Sequence, residues 1–190
     1  DSSEYNLFKI TQDIKNLISN NKINCNIISL LDNLNDEMFV KSIFDEYEPE
    51  IVFHCAAYKH VHIAEENIIQ FVKNNIFVTN IIAKTSILKN VEKFVLISTD
   101  KAVRPLNIMG ASKRIAEKIV LSNNSLDTNK TNFSVVRFGN VLNSSGSVVP
   151  IFKKQILNGG PITVTDKNAT RYMMLIEEAA YLVLQTLQNK

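Results

Sequence analysis

The sequence alternates between two hydrophobic patterns, and this alternation restricts the fold more than any other feature of the chain. Apolar residues recur about every 3.6 residues in four segments, which predicts helices over Glu4–Ser19, Asp36–Tyr47, Ile63–Leu88 and Ile108–Asn123. Short continuous apolar runs predict four buried strands, at Cys25–Leu31, Ile51–His54, Lys93–Ser98 and Phe133–Phe138. Strands that alternate with such helices form right-handed βαβ units, so we expect an α/β fold with a doubly wound parallel sheet.

The two ends of the chain have their own patterns. Ser2 or Ser3 is expected to be the N-cap of the first helix. After the last predicted strand, the Asn-, Ser- and Gly-rich stretch Gly139–Gly146 is typical of a loop. The remainder has helical patterns at its two ends, around two short extended pieces at Ile162–Thr165 and Tyr172–Leu175.

Composition excludes several classes of function. The 190 residues are 45% hydrophobic and 21% charged, which predicts one ordered domain with a sizeable core. The net charge of +2 comes from scattered residues, so we expect no nucleic-acid partner. Cys25 and Cys55 lie in apolar surroundings without metal-type spacing, which predicts buried thiols and neither a disulfide nor a metal site.

No stretch approaches the roughly 20 apolar residues of a membrane span, and the first residues do not resemble a signal peptide, so we expect a cytoplasmic location. The chain begins without methionine on an acidic residue that directly precedes a helical pattern. We therefore expect a fragment that lacks its natural beginning.

Polar residues follow three of the predicted strands. A-A-Y-K-H comes soon after His54, T-D-K follows Ser98, and G-N-V-L-N-S-S-G-S follows Phe138. In parallel α/β sheets, ligands bind beyond the carboxyl ends of the strands. Three such clusters together favour a ligand site over ordinary solvated turns.

Two pairs of residues have chemistry that suits this place. Asp100 and Lys101 are adjacent at a strand end, where a turn can direct an acid and a base into one cleft; a solvated turn is the alternative. Met109 and Lys113 are one helical turn apart on one face. Short-chain dehydrogenase/reductase enzymes carry Tyr and Lys at this spacing. Met109 by itself is typical of core filling, and Lys113 of a surface lysine.

Four longer segments carry a resemblance to a known family. They are F-H-C-A-A-Y-K-H-V, I-S-T-D-K-A-V-R-P-L-N-I-M-G-A-S-K-R, V-V-R-F-G-N-V-L-N-S-S-G-S-V-V-P-I-F and G-G-P-I-T-V-T-D-K-N-A-T-R-Y-M-M. In this order they resemble the bacterial UDP-N-acetylglucosamine 4,6-dehydratases of capsular and flagellin-glycan polysaccharide biosynthesis, which are extended short-chain dehydrogenase/reductases. The resemblance implies a Rossmann-like fold and an enzyme.

The resemblance also implies a domain division. Family members begin with a strand and a glycine-rich turn that bind the cofactor pyrophosphate, and this chain has no such turn. We therefore expect residues 1–140 to be a partial, N-terminally truncated NAD(P)-binding Rossmann domain, and residues 141–190 to be part of a small substrate-binding region. The fragment alone is then expected to bind cofactor poorly. The full-length protein is expected to be a homo-oligomer, with a possible inner-membrane anchor upstream of Asp1.

Cofactor contacts follow from the resemblance. Asp1 would bind the adenosine ribose and favour NAD over NADP. The remaining positions implied for the cofactor are Asn33 and Leu34 at the adenine, Ala56, Ala57 and Tyr58 along its middle, Lys59 near the nicotinamide, Asn75 in support of that loop, and Lys113 at the ribose.

The family oxidises C4 of the hexose, removes water across C5 and C6, and returns the hydride to C6. By resemblance, Lys101 would take the C5 hydrogen, Asp100 would protonate the departing C6 hydroxyl, and Thr99 would bond to the C4 oxygen. Met109 replaces the phenolic base that usually serves C4. A proton path through Asp100, Lys113 or a water is our hypothesis for that step.

Substrate contacts are implied for the second half of the chain. Asn140, Ser144, Ser147 and Arg171 match positions at the sugar or its diphosphate, and Thr163 would lie near the uridine. The alternatives are a nucleotide-sugar 4-epimerase and a non-catalytic nucleotide-binding module. An epimerase takes no proton from C5, so the pair Asp100 and Lys101 favours the dehydratase.

Overall fold

The computed structural model describes residues 1–126, 129–142, 144, 147–164 and 166–188. Helices α1 to α8 cover Glu4–Asn21, Glu37–Tyr47, Val61–Glu66, Ile68–Phe71, Val78–Leu88, Ile108–Ser122, Val148–Leu157 and Ile176–Gln185. Strands β1 to β5 cover Ile51–His54, Lys93–Thr99, Asn132–Phe138, Asn140–Val141 and Met173–Met174. A π-helical segment, Val72–Phe77, joins α4 to α5.

Short polar side chains begin the helices. Ser3, one of the two predicted caps, accepts the Asn6 N–H with its hydroxyl at the start of α1. Asp36 accepts two backbone N–H groups at the start of α2, and Asn107 accepts the Gly110 N–H at the start of α6. These side chains satisfy backbone donors that have no partner inside a helix, so the predicted starts of these three helices are confirmed to within one residue.

The central sheet has the predicted parallel pairing. Its order is β1-β2-β3, with His54 opposite Leu96 and Thr99 opposite Phe138. Because the strands are parallel, their carboxyl ends lie at one edge of the sheet. A separate pair of short parallel strands joins β4 to β5, with Asn140 opposite Met173.

The core lies between this sheet and three of its helices. Phe94 and Phe133, on neighbouring strands, have ring centroids 5.1 Å apart. They form one buried cluster with Leu96 and with side chains of α2, α5 and α6, namely Val40, Phe44, Val78, Ile82, Ala83, Ala116 and Val120. Helix α8 lies against β3 and buries Ala179. No helix in the described parts of the chain has the length and hydropathy of a membrane span.

Three predictions for this part of the chain are wrong. Cys25–Leu31 forms no strand and is largely exposed, because no strand among the described residues pairs with this segment. The Leu30 carbonyl oxygen accepts a hydrogen bond from the Asp1 amino group. Residues 162–164 are likewise exposed and form no strand, and Thr165 lies outside the described residues. Cys25 and Cys55 are exposed thiols, since the apolar neighbours in sequence do not cover them.

The helix predicted over Ile63–Leu88 is interrupted. Asn67 leaves the helical conformation, with φ −132° and ψ 47°, and separates α3 from α4. The π-helical turn that follows buries Asn75. Periodicity detects the apolar face of such a segment but not the inserted residue that a π-turn contains. The extended piece predicted at Tyr172–Leu175 is confirmed as β5.

Phe94→Ala is expected to lower the free energy of unfolding by about 3–5 kcal/mol, because the ring is fully buried and its loss leaves a cavity. Urea denaturation followed by circular dichroism would measure the change. Met38→Ala on α2 is the control, since Met38 is 82% exposed and its truncation should change stability by less than about 0.5 kcal/mol. Equal effects of the two substitutions would contradict this description of the core.

Candidate active-site cleft

A cleft of about 440 Å³ lies beyond the carboxyl ends of the three parallel strands. The loop after β1, the ends of β2 and β3, and helix α6 form its walls. Its lining includes most of the sequence-predicted residues, namely Ala57, Tyr58, Lys59, Thr99, Lys101, Met109, Lys113, Asn140, Ser144 and Ser147. The three polar clusters that follow the strands therefore meet at one place, as the strand-end argument predicted.

Thr99, Asp100 and Lys101 form a hydrogen-bonded group at the end of β2. The strand ends at Thr99 and a single 3₁₀ turn follows. In this turn the side chains of Asp100 and Lys101 face one another. The Thr99 hydroxyl donates to Asp100 Oδ1 at 2.9 Å, and Lys101 Nζ donates to the same oxygen at 2.9 Å. Lys101 Nζ also donates to Asn140 Oδ1 at 3.3 Å, which joins the ends of β2 and β3.

This geometry determines the resting charge of Asp100. Partial burial raises the pKa of its carboxyl group, but the hydrogen bonds from Lys101 and Thr99 outweigh burial and leave the pKa below its ordinary value. Asp100 is therefore an anion at neutral pH, paired with Lys101. A carboxylate in this state accepts protons, so it can act as an acid only after it has received one.

Gly110 allows α6 to approach this group closely. A Cβ atom at Gly110 would lie 2.5 Å from the carbonyl oxygen of Lys101, a distance that backbone atoms do not tolerate. Sequence reasoning did not single out this glycine, although its place in the first turn of a helix is a signal. The backbone of Lys101 is therefore held against the first turn of α6.

Lys113 is buried, whereas a lysine in a helix usually lies at the surface. Only 5% of the residue is exposed, and its Nζ donates to the carbonyl oxygen of Ile97 at 2.7 Å. Burial lowers the pKa of the Lys113 ammonium to about 8, against the raising effects of Glu117 and Cys55. Met109, one turn earlier, is buried with Ala64 and Phe71 and offers no group that could exchange a proton.

Asn75 supports the loop after β1. Its side-chain oxygen accepts the Tyr58 N–H at 2.8 Å, and its amide nitrogen donates to the Tyr58 carbonyl oxygen and to the Ser112 hydroxyl at 3.0 Å each. Asn75, within the π-helical segment, thus links a cleft wall to α6. Ala56 and Leu34 line a second, mostly apolar cavity of about 400 Å³ beside β1.

On the opposite side, Ser147 lies at the start of α7. Its Oγ atom is buried and has no hydrogen-bond partner among the described residues. A buried hydroxyl without a partner is costly, so this atom is suited to a ligand oxygen. Asn140 and Ser144 lie on the same side of the cleft.

Eight predicted residues are outside the cleft lining: Asp100, Asn75, Ala56 and Leu34, which are described above, and Asp1, Asn33, Thr163 and Arg171. Asp1 accepts the Ser3 N–H, and Asn33 accepts bonds from Asn35. Thr163 bonds to Gln155, and Arg171 donates to the adjacent carbonyl oxygen of Thr170. The structure does not bring these four side chains to the other predicted residues, and their roles stay predictions.

Sequence reasoning missed the buried charges beneath the cleft. Glu117 follows Lys113 by one helical turn and is fully buried, with its carboxylate on Ser98, Arg114 and Arg137. A carboxylate within the apolar repeat of a helix was the available signal. His54 is buried too, and burial followed by the Lys113 charge lowers its pKa to about 3, so the ring is neutral.

Comparison with known proteins places this geometry in a family. The sequence matches the polysaccharide biosynthesis protein family over residues 1–190. It is 44% identical to the capsular polysaccharide biosynthesis protein CapD of Staphylococcus aureus over 96% of this chain and 30% of that protein. It is 39% identical to an inverting UDP-N-acetylglucosamine 4,6-dehydratase of Campylobacter jejuni over 74% of this chain and 42% of that protein.

A UDP-glucose 4-epimerase of Rickettsia canadensis is 36% identical over 74% of this chain and 41% of that protein. The chain therefore spans less than half the length of these three relatives.

Solved structures confirm the Rossmann-like α/β fold. Pen from Bacillus thuringiensis has a TM-score of 0.90 and 36% identity, over 100% of this chain and 58% of that protein. UDP-glucose 4-epimerase of Thermus thermophilus, in complex with NAD, has a TM-score of 0.74 over 82% of this chain and 58% of that protein. At 23% identity the second likeness concerns the fold alone.

Lys113→Met is expected to change how stability depends on pH. The folded pKa of Lys113 is about 8 and its ordinary value is 10.5, so between these values the unfolded chain binds a proton that the folded chain has lost. The wild type should therefore gain stability relative to the variant as pH rises through this window. Urea unfolding at several pH values measures the difference, with Lys118→Met, an exposed position on α6, as the control. Parallel pH curves for wild type and Lys113→Met would contradict the buried ammonium.

Proposed function

Because the chain belongs to the polysaccharide biosynthesis protein family, we propose that it carries the catalytic half of an NAD-dependent 4,6-dehydratase that acts on a UDP-N-acetylhexosamine, with UDP-N-acetylglucosamine as the expected substrate. The product would be a 4-keto-6-deoxy sugar nucleotide for a capsule or other surface glycan. One observation carries the proposal: Thr99, Asp100 and Lys101 are hydrogen-bonded together, and Thr99 and Lys101 line a cleft with Lys113.

Residues of the cleft fit a dinucleotide. The small side chain of Ala57 in the cleft, next to Ala56 in the second cavity, would let a ligand approach the loop after β1. Lys113 has three donor hydrogens, and the one directed at Ile97 leaves others suited to ribose hydroxyls. When bound, NAD supplies the oxidation at C4 and the later reduction at C6. Asp1, Asn33 and Leu34 remain our proposed adenosine contacts, with Asp1 favouring NAD over NADP.

The hydrogen bond from Thr99 to Asp100 supports a route for the C4 proton. The sugar hydroxyl would donate to Thr99 Oγ1 while the Thr99 proton moves to Asp100, which the resting charge of Asp100 allows. Lys113 is the weaker candidate for this role, because its Nζ is held on the Ile97 carbonyl oxygen. Of the three routes left open by Met109, the one through Asp100 agrees best with the geometry.

This route also prepares the elimination. In this proposal Lys101 gives one proton to solvent after Asp100 has been protonated, and it then takes the C5 hydrogen as an amine. Asp100 then gives its proton to the departing C6 hydroxyl, which leaves as water. Both side chains then have the charges they have at rest. When C6 is reduced, Lys101 gives its proton to C5 and regains from solvent the proton that it released before the elimination.

The substrate would lie on the far side of the cleft. Asn140 lies beside Lys101. Ser144 and Ser147 also line the cleft, and the Ser147 hydroxyl, which has no partner among the described residues, could donate to a hydroxyl or phosphate oxygen of the substrate. We propose that residues 1–140 bind the dinucleotide and residues 141–190 contribute to the sugar-nucleotide site, with Thr163 and Arg171 as further contacts.

A 4-epimerase is the second candidate, favoured by the 36% identity to the Rickettsia canadensis relative. That reaction has no step for an acid–base pair at C5 and C6. Asp100 and Lys101, joined at 2.9 Å, therefore favour the dehydratase.

Incubation of the full-length gene product with UDP-N-acetylglucosamine and NAD is expected to yield a nucleotide sugar that has lost the mass of one water. Mass spectrometry of the products measures this directly. An epimer of unchanged mass would support the second candidate instead. Absence of any product, together with retained NAD binding, would favour a nucleotide-binding module.

Lys101→Ala is expected to reduce dehydration by on the order of 10²–10⁴-fold, because the substitution removes the amine that is bonded to Asp100 and proposed to take the C5 hydrogen. Turnover is measured by loss of water, and thermal unfolding checks the fold. Lys118→Ala, an exposed lysine on α6, serves as the control. Full turnover in Lys101→Ala would show that another group removes the C5 proton.

A further inference from the structure

Glu117 is the most completely buried charge in the described part of the chain, and none of the steps above uses it. The residue is 0% exposed, in the middle of α6. An isolated carboxylate at such a place would be strongly destabilising, so its partners must compensate for the lost hydration.

Those partners come from β2, β3 and α6. Oε1 accepts the Ser98 hydroxyl at 2.7 Å and Arg137 Nε at 2.8 Å. Oε2 accepts Arg137 Nη2 at 2.6 Å and Arg114 Nη1 at 3.0 Å. The arginine fork on one carboxylate fixes orientation as well as distance.

Ser98 and Arg137 occupy matched positions in the sheet. They lie directly opposite one another in the register of β2 and β3. Ser98 immediately precedes Thr99, and Arg137 lies three residues before Asn140, the partner of Lys101. The Glu117 carboxylate is therefore hydrogen-bonded to both strands near their carboxyl ends, just before the residues that line the cleft.

The same carboxylate lies beside Lys113. The two residues are one turn apart on α6, and Lys113 Nζ is bonded to Ile97, the residue before Ser98. Burial lowers the pKa of Lys113, and Glu117 opposes that effect. Loss of the Glu117 charge would therefore favour a neutral Lys113 amine.

We infer that Glu117 is a positioning residue of the cleft, whose carboxylate holds the ends of β2 and β3 in register with α6 beside the Lys113 ammonium. The inference deepens the proposed function and rests on it for its consequences in turnover. Thr99, Asp100 and Lys101 depend on Glu117 through Ser98, and Asn140 depends on it through Arg137.

Ser98→Ala tests the mechanical link. It removes only the bond from Glu117 to β2 and leaves both arginines on the carboxylate, so the protein is expected to fold. We expect kcat for dehydration to fall on the order of tenfold to hundredfold, with KM and the melting temperature little changed, because the reacting groups lose alignment. Arg114→Gln is the matched control, since Arg114 bonds to the same carboxylate from within α6 and so does not link Glu117 to β2 or β3.

Glu117→Gln tests the charge. Lys113 titrates near 8, and its midpoint should move to lower pH when the carboxylate is replaced, as followed by NMR of the labelled lysine side chain. The alkaline limb of the activity profile should move in the same direction. The variant does not replace the other titratable residues near Lys113, which are His54 and Cys55 at the end of β1 and Lys59 and Lys101 in the cleft lining.

The outcomes distinguish a failure of the proposed function from a failure of the role inferred for Glu117. A wild-type protein without dehydratase turnover would count against the proposed function. The Lys113 titration midpoint measured by NMR would still test the role of Glu117, because that measurement does not need turnover. An unchanged Lys113 midpoint in Glu117→Gln would overturn the inference whatever the turnover shows. Unchanged kcat in Ser98→Ala would overturn it as well, and so would an equal loss of kcat in Arg114→Gln.

Discussion

The parallel pairing of β2 with β3 is the constraint on which the cleft depends. The ladder holds Thr99 opposite Phe138, so the turn after one strand and the loop after the other begin side by side. Lys101 and Asn140 can then bond across the gap at 3.3 Å. A slip of one residue would turn every side chain of β2 to the other face and separate these groups.

Two close contacts at glycines fix neighbouring elements against the carboxyl ends of β2 and β3. Gly110 lets the first turn of α6 rest on the carbonyl oxygen of Lys101, and Gly139 lies where a Cβ atom would be 2.6 Å from the carbonyl oxygen of Tyr172. The first contact places the first turn of α6, the helix that carries Lys113, against the 3₁₀ turn Asp100–Ala102. The second brings the chain before β5 against the exit from β3, which connects the last fifty residues to the cleft.

Buried charge gives the site its chemical character. Lys113 and Glu117 lie on one helix face beneath the cleft, where low polarity makes each sensitive to the other. Asp100 remains ionised because Lys101 and Thr99 bond to it. Met109 contributes no proton, and hydrogen bonds at the end of β2 link Thr99, Asp100 and Lys101.

By itself, the sequence determined the order of the helices, the three strands of the main sheet and the meeting of their polar ends. Those features depend on local periodicity and on the rule that parallel strands share an edge, and both can be read from one chain. The sequence also pointed to Lys113 and Asp100, through spacing and resemblance.

Only the tertiary structure decided which residues are buried and which charges are paired. Cys25–Leu31 has the apolar pattern of a strand, but a strand needs a neighbour, and the described chain provides none there. Lys113 is buried although most lysines are exposed, and Asp100 is an anion because of bonds from two side chains. Glu117 joins residues 19 and 20 positions away, Ser98 and Arg137, and contacts at such separations arise only when the sheet and α6 are packed together.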